Sequence, residues 1–167
     1  MKHLLLLLIF LFCSVGAFGQ TYKVHSLYIY KFARSTSWPE ADQTRPLVIT
    51  IVGDAELANE LRNQTKNKSV AGRSIDVVSV PFSNSLPKCD IVYIGAKFND
   101  KFCSLIRTQN NSKMLVLSAM PGQCRNGACI AFAKEGADKD YEICEANIAR
   151  NGLHMNRNIF EKGRAVQ

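Results

Sequence analysis

The chain has 167 residues, of which 47% are apolar and 21% are charged, and its formal net charge is +7 at pH 7. This balance is ordinary for a globular protein and excludes disordered, collagenous and coiled-coil chains. The positive charge is not gathered into a run of consecutive Lys or Arg residues, so we expect no nucleic-acid partner. Attraction to an anionic membrane or to an acidic protein surface stays open.

Residues 1–19 have the three parts of a secretory signal peptide. A short cationic head is followed by the unbroken apolar run 4–12 and by a small-x-small ending, Ala-Phe-Gly. The apolar run is too short to span a bilayer comfortably, which disfavours the alternative of an uncleaved membrane anchor. We therefore predict cleavage after Gly19, which leaves an exported domain of residues 20–167.

Helices and strands are predicted to alternate along the exported domain. The segment Val24–Ser37 is predicted to be a helix, because its apolar residues recur at helical spacing and form one face. These residues are Val24, Leu27, Tyr28, Ile29 and Phe32. Pro39 ends this helix because the residue before a proline avoids helical angles. Runs rich in Val and Ile predict strands that are buried on both faces, and Asp54 is expected to cap a helix, Ala55–Gln64, after the first of them. The predicted strands are Leu47–Gly53, Ile75–Val80, Asp90–Gly95 and Lys113–Ser118, and a helix capped by Asn99 or Asp100 and ending near Thr108 lies between the last two.

The last third of the chain has a different pattern. Two short strands, Ala128–Lys134 and Tyr141–Cys144, flank a polar stretch and predict an antiparallel hairpin. Residues Glu145–Phe160 predict a closing helix that is broken near Asn151, and the tail from Glu161 is expected to be loose. The predicted fold class is α/β: a single three-layer-like domain with a mostly parallel central sheet, a C-terminal antiparallel hairpin and flanking helices.

No recognised catalytic arrangement is present in the sequence. His25 and His154 are the only histidines after residue 19 and lie far apart, which leaves little for a triad or a metal site. Gly53 follows the first strand, where nucleotide-binding folds carry a glycine-rich turn, but the further glycines that approach a phosphate are missing. We expect no enzyme activity, no cofactor and no metal, with a small ligand in the cleft near Gly53 as the alternative function.

Five cysteines remain after residue 19, and an exported protein meets an oxidising compartment in which disulfides form. Cys124 and Cys129 flank an Asn-Gly turn that can bring their sulfur atoms together, so we predict a disulfide between them. Cys144 lies across the predicted hairpin from Cys129 and is the rival partner. Cys89 and Cys103 are left unassigned.

Trp38 is the only tryptophan and follows the first predicted helix directly. One interpretation is a plug in the core at a helix end. The other is a partly exposed anchor for a partner protein, because Trp and Arg dominate binding hot spots and Arg34 lies one helical turn earlier. The composition of this segment does not decide between the two.

The segment Tyr28–Pro39 resembles the opening signature of the YfiR-like family of exported bacterial proteins, which ends in Trp-Pro. Further similarities follow in the family's order along nearly all of residues 20–167. The matching stretches are Leu47–Asp54, Val70-Ala71-Gly72-Arg73, Cys89–Gly95, Ala131-Phe132, Tyr141–Ile143 and Gly152-Leu153. The chain departs from the family at Cys144, where members commonly have Asn, and at Asn156 and Arg157, where they commonly have a Ser-Ser pair.

This resemblance implies regulation by binding. The family's best-known member is a periplasmic repressor of a membrane-bound diguanylate cyclase, and other members occur beside sensor kinases. The resemblance therefore implies a periplasmic protein that restrains a membrane-bound diguanylate cyclase or sensor histidine kinase by contact with its periplasmic domain. We expect Arg34, Trp38 and Pro39 in the contact surface and membrane contact only through the partner. Family members are often dimeric, so a homodimer is open.

Overall fold

The structure is a computed structural model that describes residues 16–39, 44–82, 86–108 and 113–166, without the side chains of residues 16–20 and 107–108. Its helices are α1 (Gly16–Ser35), α2 (Ala55–Thr65), α3 (Phe102–Thr108), α4 (Glu145–Arg150) and α5 (Arg157–Lys162), with 3-10 helices at Ala96–Lys101 and Gln123–Asn126. Its strands are β1 (Thr36–Ser37), β2 (Leu47–Val52), β3 (Ser69–Val70), β4 (Arg73–Val80), β5 (Ile91–Ile94), β6 (Leu115–Ser118), β7 (Ile130–Phe132), β8 (Tyr141–Ile143), β9 (His154–Met155) and β10 (Arg164–Ala165).

Eight strands form one sheet in the order β10-β8-β7-β6-β5-β2-β4-β3. Five neighbouring strands run parallel to one another, namely β7, β6, β5, β2 and β4, and β10 is parallel to β8. The pairs β7–β8 and β3–β4 are antiparallel. This topology confirms the predicted α/β fold with a mostly parallel sheet and an antiparallel hairpin. Strand order reverses between β2 and β5, which is where doubly wound folds usually bind small ligands.

The central strands form where the sequence has β-branched runs. Five of the six residues of β2 are buried, as expected for a strand covered on both faces. Asp54 then caps α2, because its carboxylate accepts a hydrogen bond of 3.1 Å from the Leu57 backbone N–H. Leu57 and Leu61 of α2 are buried, so this helix packs on the sheet by its apolar face.

The sequence predictions were wrong at three places along the chain. Thr36 and Ser37, predicted as the end of the first helix, form β1 and pair with β9. A 3-10 helix already begins at Ala96, and the Asn99 side chain accepts a hydrogen bond from the Gln123 amide, so neither Asn99 nor Asp100 caps a helix. The tail from Glu161 is ordered, because α5 continues to Lys162 and β10 pairs with β8. The predicted break in the closing helix is confirmed, since β9 separates α4 from α5.

A buried charge network joins the starts of three central strands. Asp90, immediately before β5, is 2% exposed and accepts hydrogen bonds from Arg73 Nη2 at 2.8 Å and from both terminal nitrogens of Arg45 at 2.6 and 2.8 Å. Its carboxylate also accepts from the Val48 backbone N–H at 2.9 Å. Arg73 further donates to the carbonyls of Arg45 and Pro46. The Gly-Arg motif noted in the sequence therefore has a structural role.

Candidate partner-binding groove

A groove of about 890 Å³ runs along α1 and is bordered by the β7–β8 hairpin loop and the start of α5. A smaller cavity of about 290 Å³ continues it toward the hairpin and shares Val24, Tyr28 and Asp140 with it. We call the two together the α1 groove. The larger part is lined by Val24, Leu27, Tyr28, Tyr30, Lys31, Arg34, Ser35, Asp140, Asn156, Asn158 and Ile159.

Two apolar side chains of α1 lie exposed in this groove. Leu27 is 57% and Val24 is 41% exposed, and they are the exposed large apolar side chains of the part of the chain that the structure describes. Both lie on a stripe with Lys31 and Arg34, because residues three or four apart share one face of a helix. An apolar strip flanked by cations is typical of a surface that binds another protein.

The groove is braced by a bond between α1 and the hairpin loop. The Tyr28 hydroxyl donates a hydrogen bond to the Asp140 carboxylate. Burial, together with this bonded carboxylate, raises the pKa of Tyr28 to about 12, so the phenol stays protonated and keeps donating. The Lys31 ammonium lies 5.4 Å from the centre of the Tyr28 ring, within the range of a cation–π interaction.

The structure separates the three residues that the sequence singles out for partner contact. Arg34 is exposed and lines the α1 groove, with its guanidinium 5.8 Å from the Tyr30 ring centre. Pro39 is exposed but does not line the groove. Trp38 is only 7% exposed, belongs to the hydrophobic core, and its indole N–H has no hydrogen-bond partner. Its burial favours the core plug over the exposed anchor.

Residues 22–164 match the protein-family model DUF4154, described as YfiR/HmsC-like. The chain belongs to the YfiR/HmsC-like family. The match confirms the resemblance inferred from the sequence motifs and includes α1 from Tyr22 onward, the hairpin and β9. Membership supports a periplasmic regulator in general terms. No helix among the described segments has the length and apolar character needed to cross a membrane.

The comparison with solved structures adds support for the fold. A conserved domain protein from Vibrio cholerae superposes with a TM-score of 0.59 at 13% identity, covering 87% of this chain and 60% of that one. An ABC domain from Streptococcus pneumoniae, solved in complex with L-Trp, gives 0.53 at 12% identity, covering 71% and 55%. This YfiR/HmsC-like chain thus spans less than two thirds of either protein, and at such identities the likeness shows the fold alone. The sequence matches no curated protein.

The cleft near Gly53, the alternative ligand site, is covered by an aromatic ring in this YfiR/HmsC-like protein. Gly53 has a φ of +73°, and a Cβ built on it would lie 2.0 Å from Phe98 Cε2. Phe98 in turn stacks on Phe82, with ring centres 4.9 Å apart. A ligand at this strand-order reversal would therefore have to displace Phe98, which disfavours the small-molecule alternative.

None of the five cysteines in the described part of the chain forms a disulfide. Cys89, Cys103, Cys124, Cys129 and Cys144 are all free. The disulfide predicted from the sequence between Cys124 and Cys129 is not formed in this structure and stays a prediction. No group of three metal-binding side chains is placed to hold an ion within the described ranges.

The inner end of the α1 groove contains a half-buried histidine that the sequence does not distinguish. His25 Nδ1 lies 2.9 Å from the Tyr93 hydroxyl, and its ring stacks on Phe132 with centres 3.9 Å apart. Burial lowers the pKa of His25 to about 4 because the charged imidazolium is poorly solvated there. His25 is therefore neutral in the folded protein near pH 7.

Acidification is expected to destabilise the fold through His25. The unfolded chain binds a proton near pH 6.5 and the folded protein only near pH 4, so stability falls as the pH drops through this window. Between pH 7 and pH 5 we expect a loss of about 1–2 kcal/mol in the free energy of unfolding. Urea titrations of wild type, His25→Gln and the matched control His154→Gln at both pH values measure it. An equal pH dependence in wild type and His25→Gln would contradict this assignment.

Proposed function

We propose that this YfiR/HmsC-like protein is an exported regulator that restrains a membrane-bound diguanylate cyclase or sensor histidine kinase by binding its periplasmic domain in the α1 groove. The observation that carries the proposal is the stripe of exposed Val24 and Leu27 beside Lys31 and Arg34. Family membership supports the regulatory role. The partner, its output and the direction of control are part of the proposal.

The groove offers separate sources of affinity and specificity. Covering Val24 and Leu27 removes apolar surface from water, which favours binding by roughly 25 cal/mol per Å² of apolar area. The cations Lys31 and Arg34 steer an acidic surface toward the groove and set its orientation. Asp140, the carboxylate on the opposite wall, is engaged by the Tyr28 hydroxyl, which limits its opposition to an acidic partner. We therefore expect an apolar partner segment flanked by Asp or Glu.

The contact can be captured directly by photocrosslinking in cells. A photoreactive amino acid replacing Leu27 should crosslink to an inner-membrane signalling protein, identified by mass spectrometry. The same group replacing Lys88, an exposed residue that lines neither part of the groove, is the control. Crosslinks to this partner from position 88 alone would place the contact elsewhere on the protein.

Reversing the groove's character should abolish restraint without unfolding the protein. The double variant Leu27→Asp with Arg34→Glu changes two exposed side chains. Because Arg34→Glu also loses the contact with Tyr30 and places a negative charge in the last turn of α1, we expect the fold to be kept with a loss of about 1 kcal/mol. Its affinity for the partner's periplasmic domain should fall by about 2 kcal/mol or more, roughly thirtyfold. Titration calorimetry measures this, with Lys88→Glu as the matched charge reversal.

Output in cells tests the sign of regulation. Deletion of the gene should raise the partner's signalling output. Expression of the wild type or of Lys88→Glu in the deletion strain should lower the output again, and expression of the Leu27→Asp, Arg34→Glu variant should not. Unchanged output on deletion, with the partner present, would count against restraint. Full restoration by the double variant would count against the groove.

A further inference from the structure

A cavity of about 350 Å³ lies where α2 ends and the chain turns into the β3–β4 hairpin. Three exposed cationic side chains line it, those of Arg62, Lys66 and Lys68. Among the described residues around the cavity, Asp76 is the one that carries a carboxylate. This part of the surface is therefore positively charged, and it lies outside the α1 groove.

The ring of Tyr30 connects this cavity to α1. The Lys68 ammonium lies 4.7 Å from the ring centre and the Arg34 guanidinium lies 5.8 Å from it, both within the range of a cation–π interaction. No carboxylate of the described residues lies within ion-pair distance of either cation. One ring thus holds two uncompensated cations from different elements close together. We call Arg34, Arg62, Lys66 and Lys68, together with Tyr30, the cationic face.

The backbone that presents the two lysines is held in tight turns. The Lys68 N–H donates a hydrogen bond of 2.9 Å to the Thr65 carbonyl, and Asn67 between them has a φ of 60°. Ala71 and Gly72, with φ values of 51° and 80°, form the two-residue turn between β3 and β4, a turn that uses positive φ at both positions. The lysines beside Asn67 therefore project from a defined backbone, which limits the entropy lost when they bind.

We propose that the cationic face binds the headgroup layer of an anionic phospholipid bilayer. The core of a protein interface needs apolar side chains, and the exposed large ones of the described chain, Val24 and Leu27, lie in the α1 groove and not on this face. A headgroup layer requires cations instead, and each Lys or Arg near an anionic surface strengthens binding about fivefold. Tyrosine rings are also common at this depth of a membrane.

A direct lipid contact departs from the sequence-based expectation that this protein meets a membrane only through its partner. It goes beyond the proposed function and does not depend on it. Arg34 belongs to the cationic face and also lines the α1 groove, so the two surfaces adjoin. Protein bound to lipid through the cationic face thus holds its groove near the membrane surface.

Sedimentation with vesicles tests the lipid contact on the purified protein. We expect the protein to pellet with phosphatidylcholine vesicles that contain about 30% phosphatidylglycerol, and not with pure phosphatidylcholine. Raising the ionic strength from about 0.1 M to about 0.5 M should weaken binding at least roughly fivefold, because salt screens the charges. Equal pelleting with both vesicles, or none with either, would overturn the proposal. Binding to immobilised polyglutamate without binding to vesicles would assign the face to an acidic protein instead.

Paired variants locate the contact on the protein. Lys66→Gln with Lys68→Gln should lower the vesicle partition coefficient roughly tenfold or more, whereas Lys66→Arg with Lys68→Arg should keep it near wild type. The control, Lys97→Gln with Lys101→Gln, removes the same charge from the exposed 3-10 helix that follows β5, at the opposite end of the sheet. Equal losses in the two glutamine variants would show that net charge, and not the cationic face, determines binding. Circular dichroism of each variant confirms that it is folded.

Discussion

Replacing Asp90 by Ala is expected to lower the free energy of unfolding by about 3–5 kcal/mol, the cost of removing one partner from a buried ion pair. The reason is the guanidinium left behind. Arg73 is 4% exposed and keeps its carbonyl bonds to Arg45 and Pro46, but it loses the only carboxylate recorded within ion-pair distance of it in the described chain. Arg45 is partly exposed and can turn to water, so the loss is centred on Arg73.

Chemical denaturation followed by circular dichroism measures this loss. Asp76→Ala, an exposed acidic position on β4, is the matched control and should change stability by less than about 0.5 kcal/mol. A second variant, Asp90→Leu with Arg73→Met, removes both charges and should recover much of the stability, because apolar groups of similar size can replace a buried pair. A loss below about 1 kcal/mol for Asp90→Ala would show that the network contributes little.

Trp38→Ala is expected to destabilise the protein by about 3–5 kcal/mol, as does truncation of a large aromatic residue in a core. Trp38 lies directly after β1, where the chain leaves α1, and is 7% exposed. Its indole N–H is buried without a hydrogen-bond partner. Trp38→Phe removes this unsatisfied donor and keeps most of the ring, so we expect it to cost much less than the alanine variant.

Thermal unfolding and partner binding, measured on the same preparations, separate the core plug from the binding anchor. If Trp38 is a core plug, Trp38→Ala melts at a lower temperature than the wild type. Its affinity for the partner is then near wild type at temperatures where the variant remains folded. If Trp38 is a binding anchor, the variant keeps its stability and loses about 2 kcal/mol or more of binding free energy. The second outcome would show that Trp38 belongs to the contact surface and would contradict the conclusion drawn from its burial.

The strands predicted from the sequence were those with enough residues to show a pattern. β2 and β5 are buried on both faces and read as continuous apolar runs, so their positions follow from composition alone. β1, β3, β9 and β10 have two residues each, which is too short for any periodicity. Their pairing depends on segments far away in the sequence, and so does the order of the tail after Glu161.

The sequence predicted the helix that forms the groove but not the exposure of its apolar residues, because exposure also depends on tertiary contacts. The helical spacing placed Val24 and Leu27 on one apolar face with Ile29 and Phe32, yet α1 buries only the latter pair. An apolar residue at the edge of such a face is buried or exposed according to what the sheet presents to it. The pattern therefore identified the helix, and the tertiary structure showed which part of its apolar surface remains uncovered.

The partners of α1 lie near the opposite end of the chain. Tyr28 bonds Asp140, 112 positions away, and the carbonyl of Ser35 accepts a hydrogen bond from the Asn156 N–H. On the proposed export route, the N-terminal helix leaves the translocation pore first and meets these residues only when nearly the whole chain has followed. Contacts this distant in sequence form slowly. On that route, the α1 groove is completed only after nearly the whole chain has crossed the membrane.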